Sequence, residues 1–131
     1  MPEIDINEYP EQEPEELRIE KWTLFGTLWN WVGVTINKTN VLKGWTKRER
    51  SDGEMIALIH SELSECLEAM RRGNPPSKKI PEFSWAEEEL ADTVIRIIDL
   101  CIKNDYDLPK AMCAKMEYNK TRPYMHGGKK F

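Results

Sequence analysis

The 131-residue sequence has no long hydrophobic run and only three cysteines. It contains no stretch of about 18 apolar residues, so we expect no membrane-spanning helix. The first residues are acidic and include prolines, and they lack the basic and apolar segments of a secretory signal peptide. Cys66, Cys101 and Cys113 are widely spaced without a CxxC pair, so we expect reduced thiols rather than disulfides or a zinc site. These absences predict a cytoplasmic protein that does not bind membranes.

Excess positive charge is also missing, since the net charge is −4 at pH 7. An acidic chain of this kind is not expected to bind nucleic acid. The charge is uneven, however. Residues 1–14 form an acidic segment that we predict to be a flexible arm, and residues 15–131 are predicted to form one helical domain with an irregular basic tail. A basic patch near the C-terminus can bind an anionic small molecule.

Hydrophobic periodicity predicts four helices and neither a strand nor an internal repeat. Ser51 with Glu54 and Ser84 with Glu87 match capping boxes that begin the second and third helices. Residues 37–45 are predicted to be a connector, and short connections between helices favour an antiparallel four-helix bundle. The predicted helices cover about residues 15–36, 51–72, 84–103 and 107–119.

A helical wheel of the second helix places an acidic residue on the apolar side. Glu62 falls beside Leu58 and Cys66 within the apolar arc, and Glu65 lies at its border. An isolated buried carboxylate is costly, and two carboxylates one turn apart repel each other. A cation between them explains the pattern, although Glu62 can instead contact a buried arginine or cap a neighbouring backbone. The centre of the arc consists of Ile56, Ile59, Leu63, Cys66, Leu67 and Met70.

The third helix carries a second acidic pair. Glu89 and Asp92 are one turn apart on the same side, while Glu87 and Glu88 lie near the helix start, where the helix dipole favours acids. The wheel alone does not choose between Glu88 and Glu89 as the partner of Asp92. If the second and third helices are antiparallel neighbours, about 8–10 Å apart, the two acidic pairs converge. Oxygen ligands without histidine or cysteine predict Mg²⁺, with Mn²⁺ as a substitute.

Basic and amide side chains lie on the apolar side of the fourth helix. Lys115 and Asn119 share that side, and Arg122 continues it if the helix persists. These residues can neutralise the carboxylates directly, or they can hold phosphates that the metal also holds. The asparagine adds hydrogen bonds for a sugar or phosphate oxygen.

Two segments, SELSECLEA and EEELADTVIRIID, together resemble the ExxE…ExxD signature of the MazG-like all-alpha NTP pyrophosphatases. The signature reads Glu62-x-x-Glu65 and then Glu89-x-x-Asp92, and the resemblance therefore selects Glu89 over Glu88. The segment DLPKAMCAKMEYNKTRP is similar to the region after the metal helices in the dCTP pyrophosphatase branch, which carries a lysine and an asparagine at matching spacing. The segment GWTKRERSDGEMIALIHSELSE resembles the stretch that leads into the first motif. The similarity covers about residues 40–126.

The resemblance implies a helical bundle assembled as a homodimer or a dimer of dimers. It also implies Mg²⁺-dependent hydrolysis of a nucleoside triphosphate, with a dCTP-like substrate preferred, to the monophosphate and pyrophosphate. The four acids of the signature are then the metal-binding and catalytic residues. Related enzymes carry an aromatic residue near the base where this chain has Arg96. The substrate-binding residues that we expect on this basis are Trp45, Arg96, Lys115, Asn119 and Arg122.

Three other functions are compatible with parts of the pattern. A hydrolase of the same fold can act on another substrate, such as phosphoribosyl-ATP. A non-catalytic helical module can bind nucleotides or a partner protein, and it would be insensitive to chelation of magnesium. A ferritin-like di-iron bundle needs Glu-x-x-His pairs, and neither His60 nor His126 follows a glutamate by three residues, so we discount it.

Overall fold

Four α-helices make up most of residues 13–124, the part of the chain described by this computed structural model. The prediction of an all-helical protein is confirmed: residues 13–124 contain no β-strand, and the one β-bridge links Pro76 to Ser84. No helix in this range is long and apolar enough to cross a membrane. The helices are α1 Glu15–Leu42, α2 Asp52–Arg71, α3 Trp85–Lys103 and α4 Leu108–Lys120.

The two predicted terminal segments lie mostly outside the described residues. The acidic arm, residues 1–14, reaches the described part only at residues 13 and 14. The tail sequence HGGKK, with His126, lies entirely beyond it. Both segments therefore stay predictions.

Helix α1 is longer than predicted, because residues 37–42 continue it instead of forming a connector. It ends where Gly44 adopts a left-handed conformation with φ of 73°. The Gly44 N–H donates to the Val41 carbonyl at 3.0 Å, and the Trp45 N–H donates to the Asn40 carbonyl at 2.9 Å. These two bonds are the Schellman motif that ends many helices. The β-branched pair at residues 35 and 36 lowers helix propensity by only about half a kcal/mol per residue, too little to stop the helix earlier.

The capping boxes predicted at the starts of α2 and α3 form to different degrees. The Ser84 hydroxyl accepts from the Glu87 N–H at 3.2 Å, and the Glu87 carboxylate accepts from the Ser84 N–H at 2.7 Å, so this capping box is complete. The Ser51 hydroxyl accepts from the Glu54 N–H at 3.1 Å. The Glu54 side chain pairs with Arg48 at 2.5 Å, so the second capping box is only half formed.

The described chain divides into two compact units. Residues 13–29 and 108–124 form the first, where the rings of Trp22 and Phe25 meet edge to face at 5.5 Å. Residues 30–107 form the second, which is built on the packed pair α2 and α3. In this second unit the absence of a side chain at Gly33 allows the end of α1 to approach α3. A Cβ at Gly33 would lie 2.6 Å from the Ile102 side chain.

The face that α2 buries is not centred where the wheel predicted. Of the six residues predicted at the centre of the apolar arc, only Ile59 and Cys66 are buried, while Ile56, Leu63, Leu67 and Met70 remain exposed. The wheel gives a wide apolar arc, and contact with α3 covers only one side of it. Glu62 lies in the middle of the covered side. The buried residues of α2 are Met55, Ile59, Glu62, Cys66 and Ala69.

Candidate functional site

Three carboxylates from α2 and α3 converge inside the second unit. Glu62 of α2 lies opposite Glu89 and Asp92 of α3, and one oxygen of each falls within 4.8 Å of the others. Only 8% of Glu62 and 2% of Glu89 are exposed, and Asp92 is partly buried. We call these three residues the acidic cluster. It forms because the buried stripe of α2 contains a glutamate where α3 presents two acids one turn apart.

Two side chains donate hydrogen bonds into the acidic cluster. The Arg96 Nε donates to the Glu62 Oε1 at 2.6 Å, and the Trp85 Nε1 donates to the Glu89 Oε1 at 2.7 Å. Each of these bonds uses one of the two oxygens of its carboxylate. Glu62 therefore contacts an arginine, as its alternative interpretation expects.

Burial among like charges disfavours ionisation of Glu89 and Asp92 even with this arginine beside the cluster. Burial raises the pKa of Glu89, as do a hydrogen bond shared with Glu62 and the nearby charge of Glu65, while the Trp85 bond lowers it. Burial also raises the pKa of Asp92, and the charge of Glu62 adds to this rise despite the opposing charges of Lys79 and Arg96. One guanidinium faces three carboxylates, so the cluster would carry two net negative charges when all three acids are ionised, as the binding of a cation requires. A divalent cation with a preference for oxygen ligands fits both that charge and that donor set.

Glu88, the alternative partner of Asp92, is engaged elsewhere. Its carboxylate accepts from the hydroxyl of Ser77 and forms an ion pair with the Lys79 Nζ at 2.7 Å. The Lys79 bond and then the Ser77 bond lower the pKa of Glu88. Geometry therefore brings Glu89, and not Glu88, into the acidic cluster with Asp92.

Glu65, the fourth acid of the signature, lies at the edge of the acidic cluster. Its side chain is exposed, and its oxygens fall outside the set that lies within 4.8 Å. Its negative charge still raises the pKa of Glu89. The structure thus brings together three of the four predicted metal-binding residues and leaves the fourth beside them.

Trp45 lines a cavity of about 320 Å³ at the end of α1, which we call the first cavity. It is 56% exposed there, and the cavity also has polar walls from Asn37, Asn40 and Arg50. The Asn40 amide donates to the Asp99 carboxylate at 3.0 Å. An exposed indole beside amide groups can stack on a planar base while the amides contact its edge.

The predicted phosphate-binding residues belong to the other compact unit. Lys115, Asn119 and Arg122 are all exposed in this chain. The Lys115 Nζ lies 4.5 Å from the centre of the Tyr118 ring. Their contact with a substrate stays a prediction.

Sequence reasoning missed two contributions to the site. Trp85 donates to Glu89 one turn away, and the spacing of four residues is the signal in the sequence. The ion pair between Lys79 and Glu88 brings a loop lysine close to the cluster, and no local pattern in SKKIPEF predicts it.

A comparison with known protein families, with curated proteins and with solved structures finds no match for this chain. Its chemistry must therefore be inferred from the site itself. The site has oxygen donors only, more carboxylates than cations in contact with them, and a cavity with an exposed aromatic ring whose lining residues Met55 and Asp99 belong to the same two helices. Such a site can bind a hard divalent cation together with a nucleotide.

Proposed function

We propose that the protein is a Mg²⁺-dependent nucleoside triphosphate pyrophosphohydrolase that cleaves a ribo- or deoxyribonucleoside triphosphate to the monophosphate and pyrophosphate. A dCTP-like substrate is the preferred candidate. The observation that carries the proposal is the buried acidic cluster, in which one arginine faces three carboxylates. The resemblance of the ExxE…ExxD motif, which contains the same acids, to MazG-like enzymes also supports the proposal.

The acidic cluster would hold the ion, with Glu62, Glu89 and Asp92 as ligands and Glu65 at its rim. A bound magnesium ion neutralises phosphate charge and lowers the pKa of a water molecule. The chain's own groups then orient the site. Arg96 holds the Glu62 carboxylate and Trp85 holds the Glu89 carboxylate, so both side chains stay directed at the same place. A carboxylate oxygen that binds no metal can accept the proton of the attacking water.

The first cavity is the proposed site of the base. Met55 and Asp99 line it, and each is seven residues from a member of the acidic cluster on the same helix. Seven residues correspond to about 10.5 Å of helical rise, which is within the length of an extended nucleoside triphosphate. A base that stacks on Trp45 can therefore have its phosphates at the cluster. The predicted roles of Lys115, Asn119 and Arg122 as phosphate or sugar contacts remain part of the proposal.

We further propose that the helices form an antiparallel bundle that associates as a homodimer or a dimer of dimers. The support comes from the exposed apolar stripe of α2. Its residues are between 43% and 56% exposed, which is unusual for a contiguous row of large apolar side chains. The stripe consists of Ile56, Leu63, Leu67 and Met70.

A nucleotide panel with chromatographic separation of the products tests the proposed activity. Purified protein is incubated with each ribo- and deoxyribonucleoside triphosphate and with phosphoribosyl-ATP, in Mg²⁺ and in excess EDTA. We expect monophosphate and pyrophosphate in Mg²⁺, with dCTP among the best substrates, and no turnover in EDTA. Diphosphate with orthophosphate would contradict the reaction, turnover of phosphoribosyl-ATP alone would change the substrate, and no turnover at all would favour a binding module.

A further inference from the structure

A second cavity, of about 410 Å³, lies directly beside the acidic cluster. We call it the loop cavity, because the loop between α2 and α3 forms one of its walls. Its floor includes Glu89, which also belongs to the acidic cluster. Its walls carry the cationic side chains of Arg72, Lys78 and Lys79 and also the carboxylates of Glu65 and Glu88.

The loop that carries the two lysines is held in a defined conformation. Ser77 is 2% exposed, and its hydroxyl accepts from the backbone N–H groups of Lys79 at 3.1 Å and Ile80 at 3.0 Å. The Ser77 N–H donates to the Phe83 carbonyl at 2.8 Å, and the Trp85 N–H donates to a loop carbonyl at 2.8 Å. The lysines therefore start from a fixed backbone next to the cluster, while the Lys79 side chain itself is 75% exposed and accessible to a ligand.

The two cavities and the cluster follow one another along the antiparallel pair of helices. Met55 and Asp99 line the first cavity, Glu62 and Glu89 belong to the acidic cluster, and Trp85 lines the loop cavity. The numbering rises along α2 and falls along α3 in this direction, so the cluster lies between the two cavities. A ligand whose base occupies the first cavity and whose first phosphate reaches the cluster would extend its remaining phosphates into the loop cavity.

The charges of the triphosphate and of the loop cavity favour the same orientation of the ligand. A nucleoside triphosphate carries more negative charge than one divalent ion neutralises, so its terminal phosphates need cations from the protein. Lys79 now pairs with Glu88 at 2.7 Å, and Arg72 pairs with Glu68 at 2.7 Å. The Arg72–Glu68 pair is exposed and contributes little to stability, so Arg72 can bind a phosphate instead at low cost. In the other pair Lys79 is exposed but Glu88 is buried, so a phosphate would share Lys79 with Glu88, which also keeps its bond from the Ser77 hydroxyl.

We propose, on the basis of the proposed function, that Arg72, Lys78 and Lys79 bind the β- and γ-phosphates in the loop cavity and bind the pyrophosphate product there. In the reaction the oxygen of water bonds to the α-phosphorus, and the bond from that phosphorus to the bridging oxygen breaks. The bridging oxygen and its electron pair leave with pyrophosphate, and the proton of the water passes to a carboxylate. The three cationic side chains would stabilise the charge that gathers on the leaving group.

Product inhibition tests this assignment with inorganic pyrophosphate and deoxycytidine monophosphate as probes, both in Mg²⁺. The double variant Lys78→Ala/Lys79→Ala is compared with Lys38→Ala, which removes an exposed lysine of α1 that lines neither cavity. We expect pyrophosphate inhibition to weaken by about tenfold or more in the double variant, the size expected for lost charge-assisted bonds. KM for the triphosphate should rise, and inhibition by the monophosphate should not change. Lys79→Arg, which keeps the charge, should retain most of the pyrophosphate inhibition.

The outcomes separate this inference from the function on which it rests. If the wild type hydrolyses triphosphates and the double variant is inhibited by pyrophosphate as strongly as the Lys38→Ala control, the loop assignment is wrong and the activity stands. An equal weakening for both products also overturns it, because that indicates general damage to the site. A wild type without any hydrolysis removes both proposals. Should the double variant lose its helical signal, Arg72→Ala, which alters only an exposed ion pair, provides the same comparison.

Discussion

At the scale of single residues, the charge on Glu62 is the feature on which the metal site depends. We expect Glu62→Gln to lower turnover by about 100-fold or more, because several kcal/mol of transition-state stabilisation depend on a bound ion. Glutamine keeps the shape of the side chain and an oxygen that can accept from Arg96, so the fold should survive. Pyrophosphate release and circular dichroism measure the two effects.

The matched control is Glu20→Gln, the same exchange at an exposed position of α1. It should change neither turnover nor helical content. Full activity in Glu62→Gln would show that the carboxylate is not a ligand. It would leave the Arg96 ion pair as the structural reason for the burial of Glu62.

The raised pKa values of Glu89 and Asp92 predict how magnesium acts on stability at different pH. Without metal, the folded protein holds protons on these groups more tightly than the unfolded chain does. Their contribution to stability is therefore present below the unfolded pKa and is lost as the pH rises through the folded pKa. A bound cation needs the ionised carboxylates, so protons compete with it. We expect Mg²⁺ to raise the melting temperature at pH 8 and to raise it much less at pH 5.

The measurement is the difference between melting curves in Mg²⁺ and in EDTA at each pH. Taking the difference removes the opposite trend from exposed carboxylates whose pKa is lowered by hydrogen bonds, such as Asp52 and Glu54. In Glu62→Gln the magnesium effect should largely disappear. An effect of Mg²⁺ that is independent of pH, or that persists in the variant, would place the ion elsewhere.

At the scale of elements, the left-handed end of α1 positions Trp45 at the first cavity. Gly44 has φ of 73°, where a Cβ is strained, and Gly44→Ala should lower the free energy of unfolding by about 1 kcal/mol. Gly53→Ala is the control, because it lies inside α2 and its Cβ would make only an ordinary contact, at 3.9 Å, with the Ser51 hydroxyl. That exchange should stabilise by about 0.5 kcal/mol. Urea unfolding measures both changes in the free energy of unfolding. If the two exchanges changed it in the same direction, the Schellman ending of α1 would be contradicted.

The helix ends also explain which parts of the fold are predictable from sequence. Serine caps with a glutamate three residues later act locally, so the starts of α2 and α3 were predicted to within a residue. Helix α1 ends six residues beyond the predicted end, because the β-branched residues 35 and 36 cost too little to stop a helix, whereas Gly44 can adopt the left-handed conformation that ends it. Helix α3 ends through Asp105 at φ of 55°, with the Tyr106 N–H donating to the Cys101 carbonyl at 2.9 Å, and no glycine marks that ending.

The candidate site was predictable only as far as helical periodicity reaches. Spacing of three residues predicted that Glu89 and Asp92 share a side, and the wheel predicted that Glu62 is buried. It did not predict Glu65 as exposed, because only the packing against α3 decides which edge of a wide apolar arc is covered. The contacts of Trp85 and Lys79 depend on the path of the loop between α2 and α3. The sequence of this loop has no periodic pattern from which that path could be predicted.

At the scale of the whole molecule, the exposed stripe of α2 is the feature that a second copy would cover. Each of its four large apolar side chains, if buried, would contribute about 1.5–3 kcal/mol through removal from water, before the cost of association. Two charges placed in the stripe would have to be buried without partners. We therefore expect Leu63→Glu/Leu67→Glu to shift the protein to the monomer. Light scattering coupled to size-exclusion chromatography gives the mass directly.

The control for this experiment adds a charge to the same helix on another side. Ser61 is exposed and lies about 160° around the helix from Leu63, so Ser61→Glu should leave the mass of the assembly unchanged. Because Glu62 lies on the buried side of α2 and Leu63 on the exposed side, the two surfaces can be tested separately. If the wild type is monomeric and hydrolyses the triphosphate, the acidic cluster acts within one chain. A Leu63→Glu/Leu67→Glu monomer that still binds Mg²⁺ but no longer turns over triphosphate would show that catalysis needs the second copy.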